Sequence, residues 1–261
     1  MKIHRIWGII LRHLYATRRS LDRLTDLFYW PLVDLTLWGL TSTYFQKFAG
    51  GTNEVIVSII SGLILWLILW ISTNSIALTI LADLWDRNLM NVLVSPISFS
   101  EWMTGNVLLA LIKTILSLIF SIILATLLYK FPAFQSTLKF IPHILLLILT
   151  SWWVSFIILG TIMRFGTKIQ TLAWAFVYIL SPFSAVYYPL TTLPHIAQVV
   201  ASFIPTSYVF ESMREVLAYG TYDMKKLGIS LILNIVYLAI TLLYLKRSIN
   251  RARLRGLGSL Y

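Results

Sequence analysis

From Val55 to Ala82 the chain contains no Asp, Glu, Lys or Arg, and this run constrains the fold more than any other feature. A helix needs about 20 mostly apolar residues to cross roughly 30 Å of hydrocarbon, and the run exceeds that length. Comparable stretches lie at 27–46 (interrupted only by Asp34), at about 102–129 (containing Lys113), at 140–163, and at 227–245, closed by Lys246 and Arg247. Runs this long and this uniformly apolar are not the alternating segments of a barrel, so helices are the spanning element. Composition agrees. Of 261 residues 58% are hydrophobic and 12% charged, against roughly 45–50% and about 25% in a soluble domain. That excludes a soluble enzyme, a disordered chain and a free-standing nucleic-acid-binding domain, despite a net charge of +11. Without cysteine there is no disulfide framework and no thiolate metal site.

The stretch from Ile169 to Phe210 is also uncharged but too long for one span, and it carries Pro182, Pro189, Pro194 and Pro205. Proline removes a helical donor and clashes with the preceding turn. We expect a fifth span from 169 to about 187, then two short helices at 196–203 and 207–217 that dip back into the outer leaflet. A loose external loop is the alternative, against which Ile196, Val199, Val200 and Phe203 are very apolar.

Six spans put both termini on one side. That side holds fourteen basic residues and the other holds six, so both termini are expected in the cytoplasm. The first residues form no signal peptide, since 6–11 is too short an apolar run. At 100° per residue Ile3, Ile6, Trp7, Ile10, Leu14 and Leu21 share one face, and Arg5, Arg12, Arg19 and Arg23 line the opposite one. This predicts an amphipathic helix in the membrane interface, held by apolar burial and anionic lipid. A solvated helix of a longer bundle is the other reading. The expected layout is an interfacial helix over 1–26, a six-span domain over 27–247 and a basic cytoplasmic tail over 248–261.

Catalytic patterns are absent. There is no phosphate loop, no H-E-x-x-H, no nucleophile elbow and no paired-carboxylate site. The histidines His4, His13, His143 and His195 are scattered and read as packing or interfacial residues, and no metal site is expected. Asp34 and Lys113 lie about 10 and 16 Å into their spans from the cytoplasmic side. An unpaired charge at that depth costs at least about 2.5–3.5 kcal/mol, so a partner or wet surroundings are expected. The two could pair with each other, or each could reach water separately. Trp38, Trp66, Trp70, Trp152 and Trp153 could form a sliding surface for sugars, or could simply pack.

Between the second and third spans, Asp83, Trp85, Asp86, Arg87, Leu89, Met90, Val92, Leu93, Ser95 and Pro96 form a distinctive segment. Trp85, Leu89, Val92 and Leu93 make an apolar stripe on a short helix that Ser95-Pro96 ends. After the fifth span come Tyr188-Pro189-Leu190-Thr191-Thr192-Leu193-Pro194, then Pro205-Thr206-Ser207-Tyr208, Glu211 and Arg214. The first segment resembles the coupling helix of ABC-2 type transporter membrane subunits, a pattern like G-T-L-E-Q-L-L-V-[ST]-P. Arg87 stands where glycine is usual and Met90 where glutamate is usual. The second resembles that family's re-entrant outer gate, with Tyr188, Pro189, Leu193, Pro194, Pro205, Tyr208, Glu211 and Arg214 in the matching places.

The resemblance implies an all-α exporter permease without catalytic residues. It implies that the chain works with a second permease copy or homologue and a separate ATP-binding-cassette ATPase. ATP and Mg belong to that partner, and no cofactor belongs to this chain. An amphipathic drug, a lipid or a lipid-linked glycan would be the cargo, exported across a prokaryotic cytoplasmic membrane. Anionic lipid is expected as a partner and nucleic acid is not. A stand-alone channel or secondary carrier, and less readily a membrane enzyme, are the competing functions.

Overall fold

The uncharged run at 55–82 forms the body of helix α3 (Asn53–Trp85), in which every residue from 60 to 69 is buried. A helix that is apolar all round belongs in the middle of a bundle, and α3 takes that place. The computed structural model describes residues 1–49, 53–86, 88, 91–92, 95–130 and 137–255. Around α3 stand α1 (Ile3–Arg19), α2 (Leu21–Ala49), α4 (Phe99–Tyr129), α5 (Ile141–Phe165), α6 (Leu172–Leu180), α7 (His195–Ser202), α8 (Pro205–Tyr219) and α9 (Met224–Arg255). No strand occurs among the described residues. α3 packs against α2, α4, α5, α6 and α8, while α9 lies along α5 and α1 lies on α4.

Among the described residues four helices are long and apolar enough to cross a membrane: α3, α4, α9 and the one at Ile141–Ile169 built on α5. The innermost and outermost differ in how they use their side chains. On α4, Ile115, Ile119, Ile123 and Leu127 repeat at four-residue spacing and are exposed, as are Ile232, Ile235, Val236 and Ile240 on α9. These stripes suit lipid contact. α2 covers the expected first span and is 29 residues long. α6 is nine residues, or about 13 Å, much shorter than the expected 169–187 span. It ends where Pro182 enters a 3₁₀ turn at Ser181–Phe183, and Ala185 then adopts a left-handed φ of 56°. The two short helices expected after it are present as α7 and α8.

Two close approaches fix the bundle. Pro31 lies inside α2 and has no N–H for the carbonyl of Leu27. The buried Ser117 hydroxyl of α4 donates to that carbonyl at 3.0 Å. Ser117→Ala is therefore expected to leave a buried acceptor unsatisfied, costing about 1–2 kcal/mol in reversible unfolding. Gly160 lets α5 meet α9, since a Cβ there would come within 2.6 Å of the Tyr244 ring. Between the same helices Asn234 Oδ1 accepts from Thr150 Oγ1 at 2.8 Å and from Trp153 Nε1 at 2.9 Å.

Candidate functional site

Three helix ends converge on the segment between α3 and α4. The carboxylate of Asp83, on the last turn of α3, is almost fully buried and forms an ion pair with Arg12 of α1. Asn88 closes the turn after it, donating its backbone N–H to the Asp83 carbonyl at 2.8 Å and its side chain to the carboxylate at 3.5 Å. At the far side Ser98 and Glu101 form a capping box at the start of α4. Glu101 also accepts from the Lys2 backbone N–H at 2.7 Å and lies 3.4 Å from Arg5 Nη1. The Arg5 guanidinium donates as well to the Pro96 carbonyl. Thus α1 grips both ends of the segment. Its Ile6, Ile9 and Ile10 are buried, whereas Ile3 and Trp7 on the expected apolar face are exposed. Two arginines of the polar face, expected to be drawn to anionic lipid, hold protein carboxylates.

Within the segment Val92 is buried in the main core, and Ser95 Oγ donates to the Val92 carbonyl at 2.6 Å. Asp86 lies exposed in the turn that closes α3. Trp85 is half-exposed, its indole N–H donating to Gln170 Oε1 at 2.9 Å, which ties the segment to the turn between α5 and α6. Arg87, Leu89, Met90 and Leu93 lie outside the described residues.

At the opposite end Arg214 organises the chain between α6 and α8. Its guanidinium donates to the carbonyls of Ala185, Tyr188 at 2.7 Å and Phe210 at 3.2 Å, and to Glu211 Oε1 at 3.2 Å. Glu211 in turn accepts the Leu190 N–H at 2.8 Å. The E-x-x-R spacing therefore has a physical purpose: one helical turn of α8 holds the irregular backbone at 185–190. Tyr188 OH donates to the Pro182 carbonyl at 2.8 Å, and the Leu193 carbonyl accepts from Gln198 at 2.8 Å. Pro189 opens the 3₁₀ turn Leu190–Thr192, Pro194 precedes α7, and Pro205 is the first residue of α8. Tyr208 OH donates to the Ser202 carbonyl at 2.9 Å, locking α8 to α7. A Cβ at Gly62 would lie 2.7 Å from the Val186 carbonyl, so α3 runs hard against this turn.

Aromatic pairs continue the contact inward. Trp38 of α2 stacks on Tyr187 at 4.5 Å, and Trp70 meets Tyr178 at 4.6 Å. Trp66 and Trp153 are buried in the core, which makes them packing residues rather than a sliding surface. Asp34 of α2 is half-buried. Lys113 lines a cavity of about 210 Å³ between α1, α2, α3, α4 and α6, with His13 and Arg23.

His13 is buried beside this cavity, and burial, then the charges of Arg12, Lys113 and Arg23, lower its pKa to about 3. The folded chain thus refuses a proton that the unfolded chain accepts below about pH 6.5, so stability falls as pH drops from there toward 3. We expect a lower melting temperature at pH 5 than at pH 7.5, and a smaller difference in His13→Leu. An equal difference in both proteins would remove His13 as the cause.

Sequence reasoning overlooked Arg5 and Arg12 as ligands of the segment, and overlooked Glu101, Gln170 and the Arg214 carbonyl contacts. Only Glu101 carried a readable signal, the S-x-x-E spacing from Ser98. Among the described residues no group of His, Asp and Glu could hold a metal ion. A family model described as ABC-2 family transporter protein matches residues 37–245. No curated protein matches the chain.

Proposed function

Because the chain belongs to the ABC-2 transporter family, we propose that it is the membrane subunit of an ATP-driven exporter, paired with a second permease and served by separate ATPase chains. Membrane transport follows from the family, and the multi-pass character from the long apolar helices. The six-span layout counts α2 and the α6 region as spans beside the four long apolar helices. Both termini then face the cytoplasm, as the excess of basic residues on that side favours.

The observation that carries the coupling reading is the double grip of α1 on the 83–101 segment, through Arg12–Asp83 at one end and Arg5, Lys2 and Glu101 at the other. A segment held at both ends moves with the helices that hold it. An ATPase docked there shifts the transmembrane equilibrium only by its differential affinity for two arrangements, and a loose segment would transmit none of it. The far end is built for the complementary task. α7 and α8 are short helices locked to each other and to the 185–190 turn, suited to closing an outer mouth. Cargo in the amphipathic drug, lipid or lipid-linked glycan class suits a bundle whose buried side chains are mostly apolar.

The test is assembly with an ATP-binding-cassette ATPase and transport-dependent ATP hydrolysis in vesicles. Leu93→Asp, which puts a charge on the apolar stripe of the segment, is expected to abolish both assembly and stimulated hydrolysis. Intact assembly and transport in that variant would overturn the coupling role. Transport by the chain without any ATPase would overturn the ATP-driven reading.

A further inference from the structure

The cavity between α1, α2, α3, α4 and α6 has a composition unlike the rest of the bundle interior. Arg23 of α2, Lys113 of α4 and His13 of α1 lie in its wall, together with Trp30 and Trp174. Asn74 of α3 completes it, donating its side-chain N–H to the Trp70 carbonyl at 3.1 Å and leaving Oδ1 buried without a partner. His13 Nε2 is likewise buried without a partner. Both side chains are more than nine-tenths buried. Two cationic side chains, two unsatisfied polar atoms and large aromatic surfaces therefore meet in one cavity.

We propose that this cavity binds the polar head of an anionic amphiphile and leaves its tail outside in the bilayer. Size supports the division. About 210 Å³ is below the roughly 300–1,000 Å³ of pockets that enclose a drug-sized molecule, so only part of such a ligand enters. Charge supports the anion, since Arg23 offers a planar fork to a phosphate or carboxylate. The free Asn74 Oδ1 is an acceptor, which a bare anion would not satisfy. A head that also carries a hydroxyl, such as phosphoglycerol, would donate to it. Trp30 is 41% exposed and belongs to both cavity wall and helix surface, where an indole can cover the first tail carbons. The ligand lies among α1, α2, α3, α4 and α6, at the end of α3 that leads to the gripped segment. The site deepens the proposed function by naming its cargo class, and rests on that reading for the bilayer around it and for the transport of what it binds.

Because binding needs no ATPase, the two readings fail separately. The full chain, delipidated in neutral detergent, is titrated with lysophosphatidylglycerol, lysophosphatidylcholine or inorganic phosphate and followed by native mass spectrometry. Lysophosphatidylglycerol is expected to be retained at least tenfold more tightly than lysophosphatidylcholine. Arg23→Gln should erase most of that preference, and Arg23→Lys should keep much of it. Should a charge variant fail to fold, Trp30→Ala at the rim carries the test, weakening retention of the lysolipid. Equal retention of both lysolipids, unchanged retention in the folded variants, or binding of inorganic phosphate as tight as that of the lysolipid would each overturn the proposal.

Discussion

Arg12→Ala is expected to detach the N-terminal helix from the 83–101 segment and to leave Asp83 as an uncompensated buried charge. Removing one partner of a buried pair costs about 3–5 kcal/mol, and the partial exposure of Arg12, 41% of its side chain, places this pair near the lower end of that range. In detergent-solubilised protein the loss reads as a fall in melting temperature. If the chain works with an ATPase as proposed, the loss also reads as ATP hydrolysis that cargo no longer stimulates. Asp83→Leu in the Arg12→Ala background is the informative control. Removing both charges removes the unsatisfied carboxylate, so most of the stability should return. Stimulated hydrolysis should not return, because the grip itself is still missing. If the single variant melts and couples like the parent, α1 is a passive surface helix.

Arg214→Ala should be the most damaging change at the opposite end. It withdraws donors from three carbonyls and from Glu211 at once. Ala185, whose carbonyl is one of the three, is fully buried and sits at a φ of 56° that a non-glycine residue holds only under external constraint. Hydrogen bonds to a charged group are worth about 1.5–3 kcal/mol each, and together the losses should be enough to open the turn. Backbone hydrogen exchange over 185–190 is expected to rise strongly, with α9 unaffected. Arg214→Lys should not rescue, because an ammonium lacks the planar fork that reaches several acceptors at once. Glu211→Gln should be milder, since the amide oxygen still accepts from the Leu190 N–H. Equal protection in Arg214→Ala and the parent would mean that the turn is held by packing alone.

Both sites were half visible in the sequence. The proline-bounded turns and the E-x-x-R pair at 188–214 could be picked out because proline placement and E-x-x-R spacing are local, and α7 and α8 fall close to the expected helices. The function of Arg214 could not, since its acceptors are backbone carbonyls and any residue supplies one. The segment between α3 and α4 showed its apolar stripe and its Ser-Pro stop. Its link to Arg12 spans 71 positions and leaves no periodic trace. The expected fifth span failed in length for a definable reason. Hydropathy measures only how well a residue tolerates lipid, and the 181–190 backbone is apolar yet bent by Pro182 and the left-handed Ala185.

The sequence by itself determined the solvent and the element type. Long charge-free runs require a bilayer, and a bilayer requires that every backbone donor and acceptor be met inside the segment. That requirement is local, so it can be read residue by residue. Tertiary structure alone decided which charges neutralise one another, where α3 hides its whole circumference, and where Arg23, Lys113 and Asn74 come to line one cavity. In a chain this poor in charge, each polar group must find its partner across the bundle. Which partner it finds depends on helix packing, not on any spacing along the sequence.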